Sequence, residues 1–160
     1  LGVGAGRAPM AGSAAEPLFD MPFMVVFPRG HALEKLPRIR WEDAMASPFI
    51  ALQGQFTERL ALDLHVAPQH LTLHPSNEVS FMTTALSMVS AGLGVTACLP
   101  YAVSLVRLHQ LQIRPLHEPE LRRKFQVYRR APASLSPAAE RFMAFLLRYV
   151  AAHGWDETPP

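Results

Sequence analysis

From Phe49 to Leu99 short apolar runs alternate with stretches of helical period, and this alternation restricts the chain to an α/β fold. Phe49-Ile-Ala-Leu52 reads as a strand and Gln53-Gly54-Gln55 as a turn. Thr57 then caps a helix running to about Val66, with Leu60, Leu64 and Ala61 facing inward. Leu71 and Leu73 alternate with Thr72 and His74, the pattern of a strand. Asn77 is the expected cap of a further helix whose apolar stripe is Val79, Met82, Leu86 and Val89, with Gly92 ending it in the left-handed region. Val95-Thr-Ala-Cys-Leu99 closes the series as a strand stopped by Pro100.

Outside this stretch the pattern is sparser. Phe23 to Phe27 is apolar without alternation, as in a strand buried on both faces, and Pro28-Arg29-Gly30 turns it. Trp41 to Ala46 is a short helix stopped at Ser47-Pro48, because the residue before proline avoids the α region. Leu111 to Leu116 and Phe125 to Tyr128 are strands. Ser136-Pro137 opens a long final helix with proline at its first position, and Phe142, Phe145, Leu146 and Tyr149 form its expected buried face. The tail after Gly154 is expected to fray.

Composition narrows the function classes. At 160 residues, 49% hydrophobic and 18% charged, the chain suits one ordinary domain or two small lobes. Its apolar runs fall far short of the ~20 residues that span a bilayer, so no membrane partner is expected. No basic segment leads into an apolar stretch as a secretory signal does. The single cysteine, Cys98, excludes an internal disulfide and suits a reducing, cytoplasmic setting. A formal charge of +2 is mild, and Arg122-Arg123-Lys124 with Arg129-Arg130 reads as a solvated strand edge rather than a nucleic-acid face.

The opening Leu1-Gly-Val-Gly-Ala-Gly6 imitates a nucleotide-phosphate loop, yet Arg7 stands where the third glycine belongs and Pro9, Gly12 and Ser13 prevent a following helix. No reactive constellation appears either, so neither a catalytic nor a metal site is assigned. On a strand His70 and His74 stand about 13 Å apart, too far to chelate together. Ser90 lacks the strand-to-helix elbow of a nucleophile, Cys98 reads as a core filler, and His31 as a turn residue.

Four segments in fixed order then carry a resemblance. Pro22 to Leu33 (PFMVVFPRGHAL), Trp41 to Leu52 (WEDAMASPFIAL, with Ala44 where leucine is usual), Val89 to Pro100 (VSAGLGVTACLP) and Ser134 to Leu146 (SLSPAAERFMAFL) resemble the effector-binding domain of LysR-type transcriptional regulators. The resemblance implies a bilobal α/β fold of the type 2 periplasmic-binding-protein class, shortened at its N-terminal side. Residues 1–27 would be the end of lobe one and a first crossing strand, 28–124 a complete lobe two, 125–153 a second crossing strand and closing helix of lobe one, and 154–160 a tail. Phe23–Phe27 and Phe125–Tyr128 would be antiparallel hinge strands. Leu1 to Gly6 becomes a lobe-one strand, its glycines allowing tight passage, with Gly4 to Gly6 near a ligand. Part of the lobe-one sheet would lack its usual neighbours, and that edge is expected to pair with another chain or to be partly disordered.

The implied function is sensing. A small metabolite, with anions favoured by the helix N-termini, would bind between lobes as co-inducer, with no other cofactor, in a homodimer or tetramer that reaches DNA through a winged helix-turn-helix outside this chain. A periplasmic-type solute receptor shares the fold and is the alternative. Gly54 permits close backbone approach, Gln53, Gln55 and Thr57 offer hydrogen bonds, and Phe56 covers an apolar ligand face. The same residues read equally as a turn and a helix cap. Asn77 and Glu78 are candidates before the next helix, Asn77 also as its cap and Glu78 also as a complement to the helix dipole. Leu99 and Pro100 are candidates for the cleft wall, or else core.

Overall fold

The computed structural model describes residues 1–5, 12–130 and 135–153. Two compact units divide the chain, Leu1–Met21 with Arg122–Pro160 and, inserted between them, Pro22–Leu121.

The inserted unit is built on a six-stranded sheet. Its strands are β3 (Met24–Phe27), β4 (Ile39–Arg40), β5 (Phe49–Leu52), β6 (Asn77–Val79), β7 (Val95–Cys98) and β8 (Gln112–His117), in the spatial order β4-β8-β3-β7-β5-β6. Strand β5 runs parallel to β6, with Ile50 opposite Asn77, and parallel to β7, with Phe49 opposite Val95. Strand β3 runs antiparallel to both β7 and β8. Val25 and Val26 point to opposite faces and both are fully buried, which is why the run from Phe23 carries no alternation.

Helices α1 (Trp41–Met45), α2 (Gln55–Val66), α3 (Met82–Ser90) and α4 (Val103–Leu108) cover the sheet. One core joins Val26, Ile50 and Cys98 to Ala85, Leu86 and Val89 of α3 and to Ala102 and Val106. Elsewhere in the unit the Phe23 ring meets Trp41 edge-on at 5.7 Å and Phe56 at 5.7 Å. Trp41 is fully buried, and its indole N–H donates to the Pro119 carbonyl at 3.2 Å. Burying each such ring contributes about 2–3 kcal/mol. The Arg114 guanidinium donates to the carbonyls of Leu33, Leu36 and Pro37, fastening that loop to β8.

The outer unit has a three-stranded sheet, β1 (Gly2–Ala5), β9 (Arg122–Arg130) and β2 (Ser13–Pro22), ordered β1-β9-β2, and the helix α5 (Pro137–His153). Strand β1 runs antiparallel to β9 with Gly4 opposite Gln126.

Several expectations are corrected here. Strand β2 had no reading in the sequence, and it, not Phe23–Phe27, is the neighbour of β9; β3 belongs to the six-stranded sheet. The basic run lies on the central strand of its sheet, where Arg122 and Arg129 meet Asp20 and Glu16 of β2 at 3.1 and 3.7 Å. Gly4 needs no tight passage, since an added Cβ would lie 3.8 Å from the Tyr128 ring, and Gly6 lies outside the described residues, as does the tail after Gly154. Leu71–His74 is not a strand; β6 follows it at Asn77–Val79. His70 has a positive φ of 49°, and its Nδ1 lies 3.1 Å from the His65 carbonyl oxygen. On α5 the expected buried face is mostly exposed: Phe142, Phe145 and Tyr149 are each more than half exposed, and the half-buried face is Met143, Leu146, Leu147 and Val150.

Candidate functional site

In an open α/β sheet ligands gather at the carboxyl ends of parallel strands, where helices begin and backbone N–H groups lack helical partners. In the inserted unit three such ends lie side by side. Strand β5 passes at Gln53-Gly54 into α2, β6 passes at Ser80-Phe81 into α3, and β7 passes at Leu99-Pro100 into a short 3-10 turn and α4.

Two hydrogen bonds join the first two ends. The Gln53 N–H donates to the Val79 carbonyl at 2.8 Å, and the Ser80 hydroxyl donates to Gln53 Oε1 at 3.0 Å. The Gln53 carbonyl oxygen is thereby occupied, and the side chain's NH₂ is its donor end at an exposed position. The third end is tied in deeper down, where the buried Thr96 hydroxyl donates to the Ile50 carbonyl at 2.7 Å.

Gly54 sits at φ 81° and ψ −154°, a conformation that L side chains rarely adopt, and it is the residue from which α2 starts. Its carbonyl accepts from the N–H groups of Thr57 and Glu58, each at 3.1 Å. Thr57 is therefore inside the helix rather than its cap, and its hydroxyl donates to the Leu52 carbonyl, tying α2 to the end of β5. The side-chain role expected of Gln55 lies outside what the structure describes. Phe56 packs on Phe23, so that face of its ring is committed to the core.

The second segment also differs from expectation. Asn77 is not a cap, because it lies in β6 opposite Ile50. Glu78 is exposed in the same strand, opposite Ala51. Helix α3 starts later, from Phe81, whose side chain makes no capping hydrogen bond. Leu99 and Pro100 are buried, Leu99 to 2% exposure, so what the third end presents at its surface is Tyr101, 54% exposed. Ser80, Phe81 and Tyr101 also stand at these strand ends, and sequence reasoning named none of them. Their signal was positional, one to three residues beyond a strand end, and it required the correct strand.

The family described as LysR substrate binding domain matches residues 1–151. The chain belongs to that family. This LysR substrate-binding domain is 34% identical over 131 residues to the uncharacterized HTH-type transcriptional regulator YbhD of Escherichia coli (strain K12), covering 82% of this chain and 41% of that protein. It is 28% identical over 131 residues to the uncharacterized HTH-type transcriptional regulator YnfL of the same organism, covering 79% of this chain and 43% of that protein. Among solved structures it shares its fold with the effector-binding domain of QuiR in complex with shikimate, at a TM-score of 0.79 and 20% identity over 94% of this chain and 71% of that one. The regulatory domain of Synechocystis PCC6803 CcmR in complex with 2-PG matches at a TM-score of 0.75 and 19% identity, over 92% and 71%. The chain thus spans about four-tenths of the length of the curated relatives it matches.

The fold is the type 2 periplasmic-binding-like architecture of LysR effector-binding domains. Three groups that look reactive in the sequence, Cys98, His31 and Ser90, are buried or hydrogen-bonded. Burial pushes the Cys98 thiol up to about 12, so it carries no thiolate near neutrality. His31 Nδ1 accepts from the Leu33 N–H at 3.2 Å and caps a 3-10 turn, and the Ser90 hydroxyl donates to the His109 carbonyl. Among the described residues no group of three or more His, Cys, Asp or Glu is placed to hold a metal ion. Among them also, no helix is long and apolar enough to cross a membrane.

Proposed function

We propose that this chain is the effector-sensing part of a DNA-binding transcriptional regulator, acting as an oligomer in the cytoplasm. A small metabolite seats at the carboxyl ends of β5, β6 and β7, and the signal passes to a winged helix-turn-helix outside this chain. The observation that carries the reading is the union of Gln53 and Ser80 at the point where α2 and α3 both begin. Free N–H groups and helix dipoles there suit an oxygen-rich, anionic ligand. The complexes of QuiR with shikimate and of CcmR with 2-PG support a small-molecule effector, and the two HTH-type relatives support a regulator rather than an enzyme.

Two similar structures are reduced forms of OxyR. A disulfide switch within this chain is excluded, since it has one cysteine and that thiol is buried. Sensing by a ligand requires that it bind one arrangement of the regulator better than another.

The test is a thermal-shift screen of small organic acids, shikimate included, against the regulator. A ligand at a hundredfold its dissociation constant stabilises by about 2.7 kcal/mol, a shift of several degrees. We expect at least one acid to raise the melting temperature and both Gln53→Ala and Ser80→Ala to remove most of that rise. A ligand whose effect survives both substitutions places the site elsewhere.

A further inference from the structure

We propose that Glu120, shared between His117 and Arg38, is a pH-sensitive latch that holds the exit segment of the inserted unit more tightly when the imidazole is charged.

The device lies wholly within the inserted unit, on the segment by which the chain leaves β8 for β9. Phe23 brackets that segment. Its carbonyl accepts from the Leu116 N–H at 2.9 Å, and its N–H donates to the Leu121 carbonyl at 3.3 Å. Residues 117–120 are therefore an excursion that leaves and rejoins the same backbone partner. Two ties hold the excursion in. The buried Trp41 indole takes the Pro119 carbonyl, and Glu120 Oε1 lies 2.8 Å from Arg38 Nη2 and 2.8 Å from His117 Nδ1.

A carboxylate only accepts, so His117 Nδ1 carries a proton whether the ring is neutral or charged, and the second proton goes to Nε2. Charging the ring converts a neutral hydrogen bond into a charge-assisted one, which is the stronger kind. Of the surrounding charges, Arg40 is the register partner of His117 in β4 and is engaged by Glu42 and Asp43 of α1. Glu118 lies 4.0 Å from the Arg38 guanidinium, while Asp20 and Arg122 pair with each other in the outer unit. Arg38 and Arg40 thus face four carboxylates, those of Glu42, Asp43, Glu118 and Glu120, which leaves an excess of negative charge for an imidazolium to meet.

The sign follows from the two titrations. The His117 hydrogen bond is the main cause that holds the Glu120 carboxyl below its ordinary value, so the acceptor is ionised throughout the range of roughly pH 5 to 8 in which an imidazole changes charge. The latch tightens as pH falls through that range and is lost only when Glu120 itself takes a proton. It shares no residue with the strand-end site, so failure of either leaves the other standing.

The Phe23 amide reports the latch, because its bond to the Leu121 carbonyl must break for the segment to open. Its hydrogen exchange is corrected for the intrinsic effect of pH and compared with that of Val25 in β3. All three side chains reach solvent, so Phe23 is expected to exchange about threefold more slowly at pH 6 than at pH 8 on this scale. His117→Gln and Glu120→Gln each remove the pH difference. Arg38→Gln raises opening at both pH values and keeps the difference, and in the parent the ¹³C shift of the Glu120 carboxyl follows the His117 titration. Unaltered protection of Val25 shows that each variant is folded. Equal Phe23 exchange at the two pH values overturns the proposal, as does a pH difference that survives Glu120→Gln.

Discussion

Gly94 shows how much one residue fixes. Its φ is 147°, and a Cβ built there would meet the Pro48 carbonyl oxygen at 2.1 Å, beside the point where the Val95 N–H donates to that same oxygen at 2.9 Å. Any side chain would push the turn before β7 away from the residue leading into β5. Gly94→Ala is expected to cost about 3 kcal/mol or more, read as a lower urea midpoint at unchanged slope. The residue scale is also where sequence reading erred most. Thr57 and Asn77 are both of capping type, yet neither caps. A side-chain oxygen serves whichever backbone partner is nearest, and for Thr57 that is the Leu52 carbonyl. Asn77 is committed by its pairing opposite Ile50, a partner 27 positions away that no local pattern reveals.

Among the elements, α1 carries its own start signal. Asp43 reaches back to accept from the Arg40 N–H at 2.8 Å and also meets the Arg40 guanidinium at 3.2 Å. The hydrogen bond from the Arg40 side chain is the main cause that holds the Asp43 carboxyl below its ordinary value. A carboxyl lowered on folding stabilises above its unfolded value, and this contribution disappears as pH falls through the folded one. Asp43→Asn is therefore expected to cost about 0.5–1 kcal/mol at pH 7 and to flatten the loss of stability toward acid, measured by urea denaturation at pH 7 and pH 3. Helix α5 was legible in place and length, since Ser136-Pro137 opens it and the Ser136 hydroxyl accepts from the Ala139 N–H. Its inward face was not. The helix is apolar nearly all round, so the 3.6-residue period alone could not choose between a face of Phe142, Phe145, Leu146 and Tyr149 and one of Met143, Leu146, Leu147 and Val150.

At the scale of the whole molecule, a strand's place in its sheet sets how well it is protected. In the inserted unit β3 has a hydrogen-bonded partner on each side and both its faces covered, whereas β6 is an outer strand. Amide exchange at Val25 and Val26 is expected to be at least about a hundredfold slower than at Asn77 and Glu78. Comparable rates along the two strands would contradict this sheet order. The sequence by itself determined the α/β class, the family, the buried strand at Phe23–Phe27 and the turn at Gln53-Gly54, because each is written in local periodicity, in glycine and proline, or in motifs of fixed order. Tertiary structure decided that β2 rather than β3 lies beside β9, that Phe56 packs inward while Phe81 stands exposed, and that Ser80 orients Gln53. Those outcomes depend on strand register and on competition between distant partners for the same backbone groups and core space, and neither is encoded in the spacing of nearby residues.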